Sequence, residues 1–439
     1  MASTYLTRTP SSASNRRTCT VSLWVKQDNL TDNRVFFDQG VDGSNFIRFY
    51  LDSNNRLAFY IEDSSAGGTQ ALLKPSALLR DVSAWYHFVI AVDVTQATES
   101  NRVKMYINGE LQTSFNDSNY PSQNLDIEGL NTTNPVNIGR RVSNNDNYFS
   151  GLISHYHFID GTAYDASDFG STDSVTGEWK INTSPSVTYG TNGFFILKDG
   201  NSVTDQSGEG NDFTVGGGTL TKTEDCPSNV FATFQPLDLQ ASTQTFAEGN
   251  LKVTTDSSGW DTIASTIGGT SGKWYFEAKL ITLGNYAIIG VIDINDANLN
   301  TTSSYYIGAS TPDNGYQNNG ARPDTGGGFG ASYTANDIIG IAIDMDNLKV
   351  YFSKNGTFQN SGNPTSGATG TGAQDLTAST TYCFAISGHG STVWEANFGN
   401  GYFGTTAVSS AGTNVSGIGI FEYDVPTGYT ALSTKGLNL

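Results

Sequence analysis

The sequence predicts an all-β protein built as two antiparallel β-sandwich domains in tandem, and three observations carry that prediction. The first is composition: 49 Gly, 24 Phe and 21 Tyr stand beside only 15% charged residues. That balance suits short aromatic strands joined by tight turns, where helices would need more Ala, Leu, Glu and Lys. The second is period, with apolar and polar residues alternating over short runs bounded by Gly, Asn, Asp and Ser. The third is length, since 439 residues exceed one ordinary domain and suffice for two cores.

The first strands are expected at Thr20–Lys26, Phe46–Leu51 and Leu57–Ile61. A hairpin follows, Trp85–Val94 then Val103–Ile107, and ends at Asn108-Gly109, a pair suited to a type I′ turn. Gly151–Asp160 is a further strand, with His155 and His157 expected on one face beside Ile153 and Ile159. From about 161 to 240 the periodicity thins, so the domains are placed at 1–185 and 241–439. Residues 186–240 read as a Gly/Asp/Ser-rich connector, with edge strands of the first sandwich as the alternative. In the second domain Lys273–Leu280 alternates, Trp274, Phe276, Ala278 and Leu280 facing a core and Lys273, Tyr275, Glu277 and Lys279 a half-wet side. Ala287–Ile292, Ile338–Ile343 and Leu348–Phe352 complete that pattern.

Charge narrows the partners. Lys plus Arg number 23 against 42 Asp plus Glu, a net charge of −19, and no basic stripe exists to neutralise phosphates. Nucleic acid and membrane insertion are therefore not expected. Cys19, Cys226 and Cys383 are odd in number and far apart, which argues for free thiols rather than a disulfide framework or a metal knuckle. Met1–Pro10 lacks an apolar core segment, so synthesis in the cytoplasm without secretion is expected.

No enzyme is expected. Sandwiches that cleave glycosidic bonds need two carboxylates across a cleft, and the nearest pair, Glu422 and Asp424, runs into Pro426, where a turn fits better than a catalytic strand. There is no nucleophile elbow, and Gly326–Gly330 lacks the Lys-Ser/Thr of a phosphate loop. His155 and His157 have no evident third metal ligand. Calcium, as a structural ion, has two candidate oxygen sets, Asn144, Asn145 and Asp146 or Asp38 and Asp42, although ordinary Asx turns are the favoured reading; no other cofactor is expected. For ligand binding, the aperiodic stretch between Ser303 and Tyr333 offers Tyr305, Tyr306, Tyr316, Asn318, Asn319 and Arg322 as a loop of aromatics flanked by polar groups. Tyr120 and Tyr148 are the counterparts in the first domain.

These motifs carry a resemblance. Trp85-Tyr-His-Phe-Val89, Tyr106-Ile-Asn-Gly109, Asn137-Ile-Gly-Arg140 and Phe149–Ile153 resemble the laminin G-like group of concanavalin A-like jelly-rolls. Gly272–Glu277, Asp337–Asp346, Val350–Gly356 and Asn397-Phe-Gly399 resemble a SPRY (B30.2-like) domain. The combination, with Tyr5–Asn15, Phe158–Ala163, Asp168-Phe-Gly170, Ser207–Phe213 and Pro426–Leu432, is similar to virion proteins of marine tailed phages. The resemblance implies a virion surface protein, as a fibre, knob or capsid appendage, made in the host cytoplasm and assembled as a homo-oligomer, with a trimer as one form. Its implied partners are a host surface glycan or protein and other virion proteins. The alternative is an architectural capsid, neck or tail component with no host ligand.

Overall fold

The computed structural model describes residues 3–28, 30–198, 200, 202–237, 244–296, 299 and 305–438. The chain is all-β with mostly antiparallel sheets, and it divides into two compact units, Met1–Lys222 and Thr223–Leu439.

In the first unit an eight-stranded sheet runs in the order Phe115–Asn119, Gly68–Pro75, Leu57–Asp63, Asn45–Leu51, Arg34–Asp42, Val136–Ile138, Tyr5–Arg8, Thr214–Gly217. The second sheet has six strands, Phe194–Ile196, Gly151–Asp160, Thr18–Gln27, Tyr86–Asp93, Val103–Ile107 and Glu110–Leu111. Period-2 alternation sends Ile47, Phe49 and Leu51 from one sheet against Val21, Leu23 and Phe88 from the other, and all are buried in one core. The segment 186–222 thus contributes one edge strand to each sheet, and the Asp205 carboxylate ties its turns down by accepting the amides of Phe195, Ser207 and Asn211. The expected hairpin forms, and Asn108 and Gly109 both have positive φ, as a type I′ turn requires.

One expectation about faces is corrected by a bulge. Between Ser154 and His157 the register of Gly151–Asp160 against Thr18–Gln27 shifts, with His155 at φ 46°. The extra residue reverses parity along the strand. Ile153 therefore packs on the core, whereas Ile159 lies on the opposite face with Tyr189 and Phe195. His157 stacks on Phe195 with centroids 4.0 Å apart, and its Nδ1 is hydrogen-bonded to the Tyr189 hydroxyl. His87 accepts from Trp179 Nε1 at Nδ1, which leaves Nε2–H to donate to Ser22 Oγ. Burial lowers the His87 pKa to about 3, so this layer of rings is neutral and structural at ordinary pH.

The second unit pairs a nine-stranded sheet with a four-stranded one. The larger runs Thr245–Ala247, Lys252–Thr254, Val393–Asn397, Lys273–Thr282, Ile338–Asp344, Lys349–Lys354, Thr357–Phe358, with Gln374–Asp375 and Thr430–Ala431 added to it. The smaller runs Trp260–Gly269, Tyr382–His389, Tyr286–Asp293, Asn314–Gln317. Phe276, Ile341 and Trp394 meet Ile289, Phe384 and Ile386 between them. The half-wet side expected for Lys273–Leu280 is in fact dry at its centre, because Ile418, Phe421, Val425 and Tyr429 cover Tyr275 and Tyr351. Glu277 is 0% exposed there and accepts the amides of Glu422 and Tyr423 at 2.8 and 2.9 Å.

Cys19 and Cys383 are buried and Cys226 is partly exposed, with all three free. Burial also raises the Cys19 thiol pKa, so little of it is thiolate. A thiol reagent applied to the native protein is expected to modify Cys226 rapidly, and Cys19 and Cys383 only on denaturation; mass spectrometry of the labelled peptides reads this directly.

Candidate functional site

The strand Asn45–Leu51 has the sequence Asn-Phe-Ile-Arg-Phe-Tyr-Leu. Because Ile47, Phe49 and Leu51 face the core, Phe46, Arg48 and Tyr50 stand on the outer face of the eight-stranded sheet. The register places Phe46 opposite Glu62 and Arg48 opposite Tyr60 on the next strand. These five side chains form a floor. Phe46 and Tyr60 meet edge to face at 5.1 Å, and the Arg48 guanidinium lies 3.8 Å from the Phe46 centroid. Arg48 donates from Nε and Nη2 to the two oxygens of Asp38 at 3.2 and 3.1 Å, a bidentate pair with the carboxylate 1% exposed.

The loop after Val136–Ile138 raises a wall beside this floor. Val142 donates its amide to Asp38 Oδ2 at 2.7 Å, and the Asn147 carbonyl accepts from Val35 at 3.0 Å. Arg141 and Asn147 then close a concave pocket of about 300 Å³, lined also by Asn33, Val35 and Gly43. That volume sits at the small end of ligand sites. Burial raises the Tyr50 pKa to about 12 and pushes Asp38 upward against the opposing pull of Arg48. Tyr60 donates its hydroxyl to Glu62 Oε2 at 2.6 Å, and Thr69 does so at 2.9 Å. Phe46 and Arg48 are 3% and 6% exposed and underlie the floor, so the arrangement presents the half-buried rings of Tyr50 and Tyr60 with amides, a phenol and a carboxylate, which is the chemistry of hydrogen-bonded recognition.

Residues 2–167 match the family model of the concanavalin A-like lectin/glucanases superfamily, laminin G type. The pocket therefore belongs to a concanavalin A-like domain, within the matched residues. Among solved structures the chain is similar to the SPRY domain of human HERC1, at 16% identity, with 37% of this chain and 96% of that one covered and a TM-score of 0.30. It is also similar to the CBM40 of the Ruminococcus gnavus IT-sialidase bound to alpha2,3 sialyllactose, at 15% identity, 31% and 71% coverage and a TM-score of 0.25. No curated protein matches.

The ligand residues predicted from sequence take different places. Tyr305 and Tyr316, expected to be exposed, are 4% and 0% exposed, because the stretch they occupy is laid onto the second unit's smaller sheet. Asn314–Gln317 pairs with Tyr286–Asp293 as a strand, so Tyr316 points into the core against Phe329 and Tyr333. The Tyr305 hydroxyl lies within hydrogen-bonding distance of Asp313 and Asp296, at 2.7 and 2.9 Å, and shares its one proton between them. Tyr306 packs on Trp260 at 4.8 Å, Asn318 accepts the Ala287 amide, Asn319 caps Ala321 and Arg322 pairs with Asp324. Residues 303 and 304 of that stretch lie outside the described residues. In the concanavalin A-like domain Tyr120 is half-buried against Phe115, and Tyr148 lies against Tyr5.

The calcium candidates do lie around the pocket, in other roles. Asp38 is committed to Arg48 and Val142, and Asp42 caps Ser44 and Asn45. Asn144 and Asn145 are exposed in the wall loop, and Asp146 pairs with Arg141 at 3.5 Å. Among the described residues no three His, Cys, Asp or Glu side chains are grouped to hold a metal ion. Glu422 and Asp424 accept from Ser409 and Thr413 as turn caps.

Sequence reasoning passed over Phe46, Arg48, Tyr50, Tyr60 and Glu62 as a group. A usable signal was present: two adjacent strands each place polar and aromatic residues at the positions that alternate with their core residues.

Proposed function

We propose that the chain is a non-enzymatic glycan-binding protein whose ligand site is the Phe46–Arg48–Tyr50–Tyr60–Glu62 pocket, acting as a phage virion surface protein that adheres to host-surface sugars. The observation that carries the reading is the pocket itself, in which ring surface lies beside open hydrogen-bonding groups on the outer face of a concanavalin A-like sheet. Sugars present an apolar face and a rim of hydroxyls, and both are matched here. Glu62 is the one carboxylate among the described lining residues. A glycosidase would need a second across the cleft, so the proposal includes no catalytic step and no cofactor. The virion placement rests on the phage-like motifs of the sequence. Homo-oligomer symmetry, repeated over a particle, would convert modest single-site affinity into firm attachment.

A glycan array probed with the purified protein, followed by calorimetry on the hits, tests the reading. Tyr50→Ala and Tyr60→Ala are each expected to weaken binding about tenfold or more while leaving the fold intact. A blank array together with tight binding to emptied particles would replace adhesion with the architectural role.

A further inference from the structure

The pocket's charges go beyond this reading and bear on which sugars it accepts. Two guanidinium groups line the site, and each already faces a carboxylate. Arg48 is held bidentately by Asp38, and Arg141 lies 3.5 Å from Asp146. Glu62 has no cation partner among the described residues; its Oε2 accepts the hydroxyls of Tyr60 and Thr69. Three carboxylates therefore stand against two cations around the cavity, in a protein whose net charge is −19.

Several polar groups are left open. The Tyr50 hydroxyl, the Asn147 side-chain amide, the Nδ2 of Asn33, Glu62 Oε1 and the Arg141 guanidinium make no hydrogen bond among the described residues, whereas Asn33 Oδ1 is used by the Ser53 amide. Donors and acceptors are mixed. A rim of hydroxyls, each able to donate and accept, satisfies such a set, and a hydroxyl donated to a carboxylate makes a charge-assisted bond. A ligand carboxylate would instead enter beside Glu62, with Arg48 held bidentately by Asp38 and Arg141 shared with Asp146 at 3.5 Å, and two like charges at such a distance disfavour one another.

Resting on the glycan-binding reading, we infer that this pocket selects neutral sugars and rejects acidic ones, with Glu62 as the residue that sets the preference. Glu62 accepts a ligand hydroxyl through Oε1 and excludes a uronic or sialic carboxylate by repulsion. Arg48 serves as a stacked, neutralised part of the floor and is not an anion receptor.

The experiment uses the full chain and pairs of oligosaccharides that differ only in a hexose against the corresponding hexuronic acid, with sialylated and desialylated pairs beside them. Calorimetry at two salt concentrations is expected to show at least tenfold tighter binding of the neutral member. Glu62→Gln keeps an acceptor without the charge, and it is expected to weaken neutral binding severalfold while bringing the acidic member to within about threefold of the neutral one. Tyr50→Phe is expected to weaken both members equally, which separates hydrogen bonding from charge selection. Hits confined to acidic glycans, lost in Arg141→Ala, would overturn the inference and leave glycan binding standing. An unchanged neutral-to-acidic ratio in Glu62→Gln would overturn the role of Glu62. Failure of every sugar to bind would overturn the glycan reading and this inference with it.

Discussion

Glu277→Ala is expected to destabilise the second unit by about 2–4 kcal/mol, because it leaves two backbone amides and a phenol without their acceptor in a buried site. The Glu277 carboxyl holds the amides of Glu422 and Tyr423 and the Tyr275 hydroxyl, and it is the polar anchor of a segment that otherwise adheres through Ile418, Phe421 and Val425. Amide exchange at residues 412–425 should accelerate before the strands of the sheet loosen, and chemical denaturation read by calorimetry gives the total cost. An unaltered exchange profile would remove Glu277 from this role.

The same residue has a pH signature. Burial pushes its pKa up to about 7, outweighing the donated amides. The folded protein then holds a proton there more tightly than the unfolded chain does. Its contribution favours folding most below the ordinary carboxylate pKa of 4.5 and is lost as pH rises toward 7. The interval corresponds to about 3 kcal/mol. Wild type should be more stable at pH 5 than at pH 8 through this group, and Glu277→Gln should flatten that slope. The alanine variant should cost more at pH 5, where the side chain it removes is neutral and makes no charge-burial penalty.

Arg48→Ala is expected to cost about 3–5 kcal/mol in the first unit, since it strands a buried carboxylate. Asp38 would keep the Val142 amide but lose both guanidinium bonds, and burial already raises its pKa. Ligand binding should fall with stability, because the wall loop is fastened through Asp38 and the cation over Phe46 is gone. Replacing both partners, Arg48→Met with Asp38→Leu, is expected to recover much of the stability, because apolar side chains of similar volume owe no desolvation cost. If the single and double variants unfolded alike, the pair would not be the fastening described here.

Some of this was legible in the residues themselves. Alternation along Asn45–Leu51 and Lys273–Thr282, the Asn108-Gly109 turn and the scarcity of charge depend on local stereochemistry and burial, which the sequence encodes within a few residues. Those features determined an all-β chain, its strand positions and which face of most strands is apolar. The sequence by itself could not decide what covers the other face. Whether Tyr316 is a ligand contact or a core ring depends on a strand pairing between residues some 25 positions apart. Whether Glu277 is wet depends on a segment about 145 residues away. His155 and His157 depend on one extra residue in a bulge. The pocket is of the same kind, for it exists only where three neighbouring strands and the loop 140–149 converge, and tertiary contacts alone bring Arg48, Asp38 and Asn147 together.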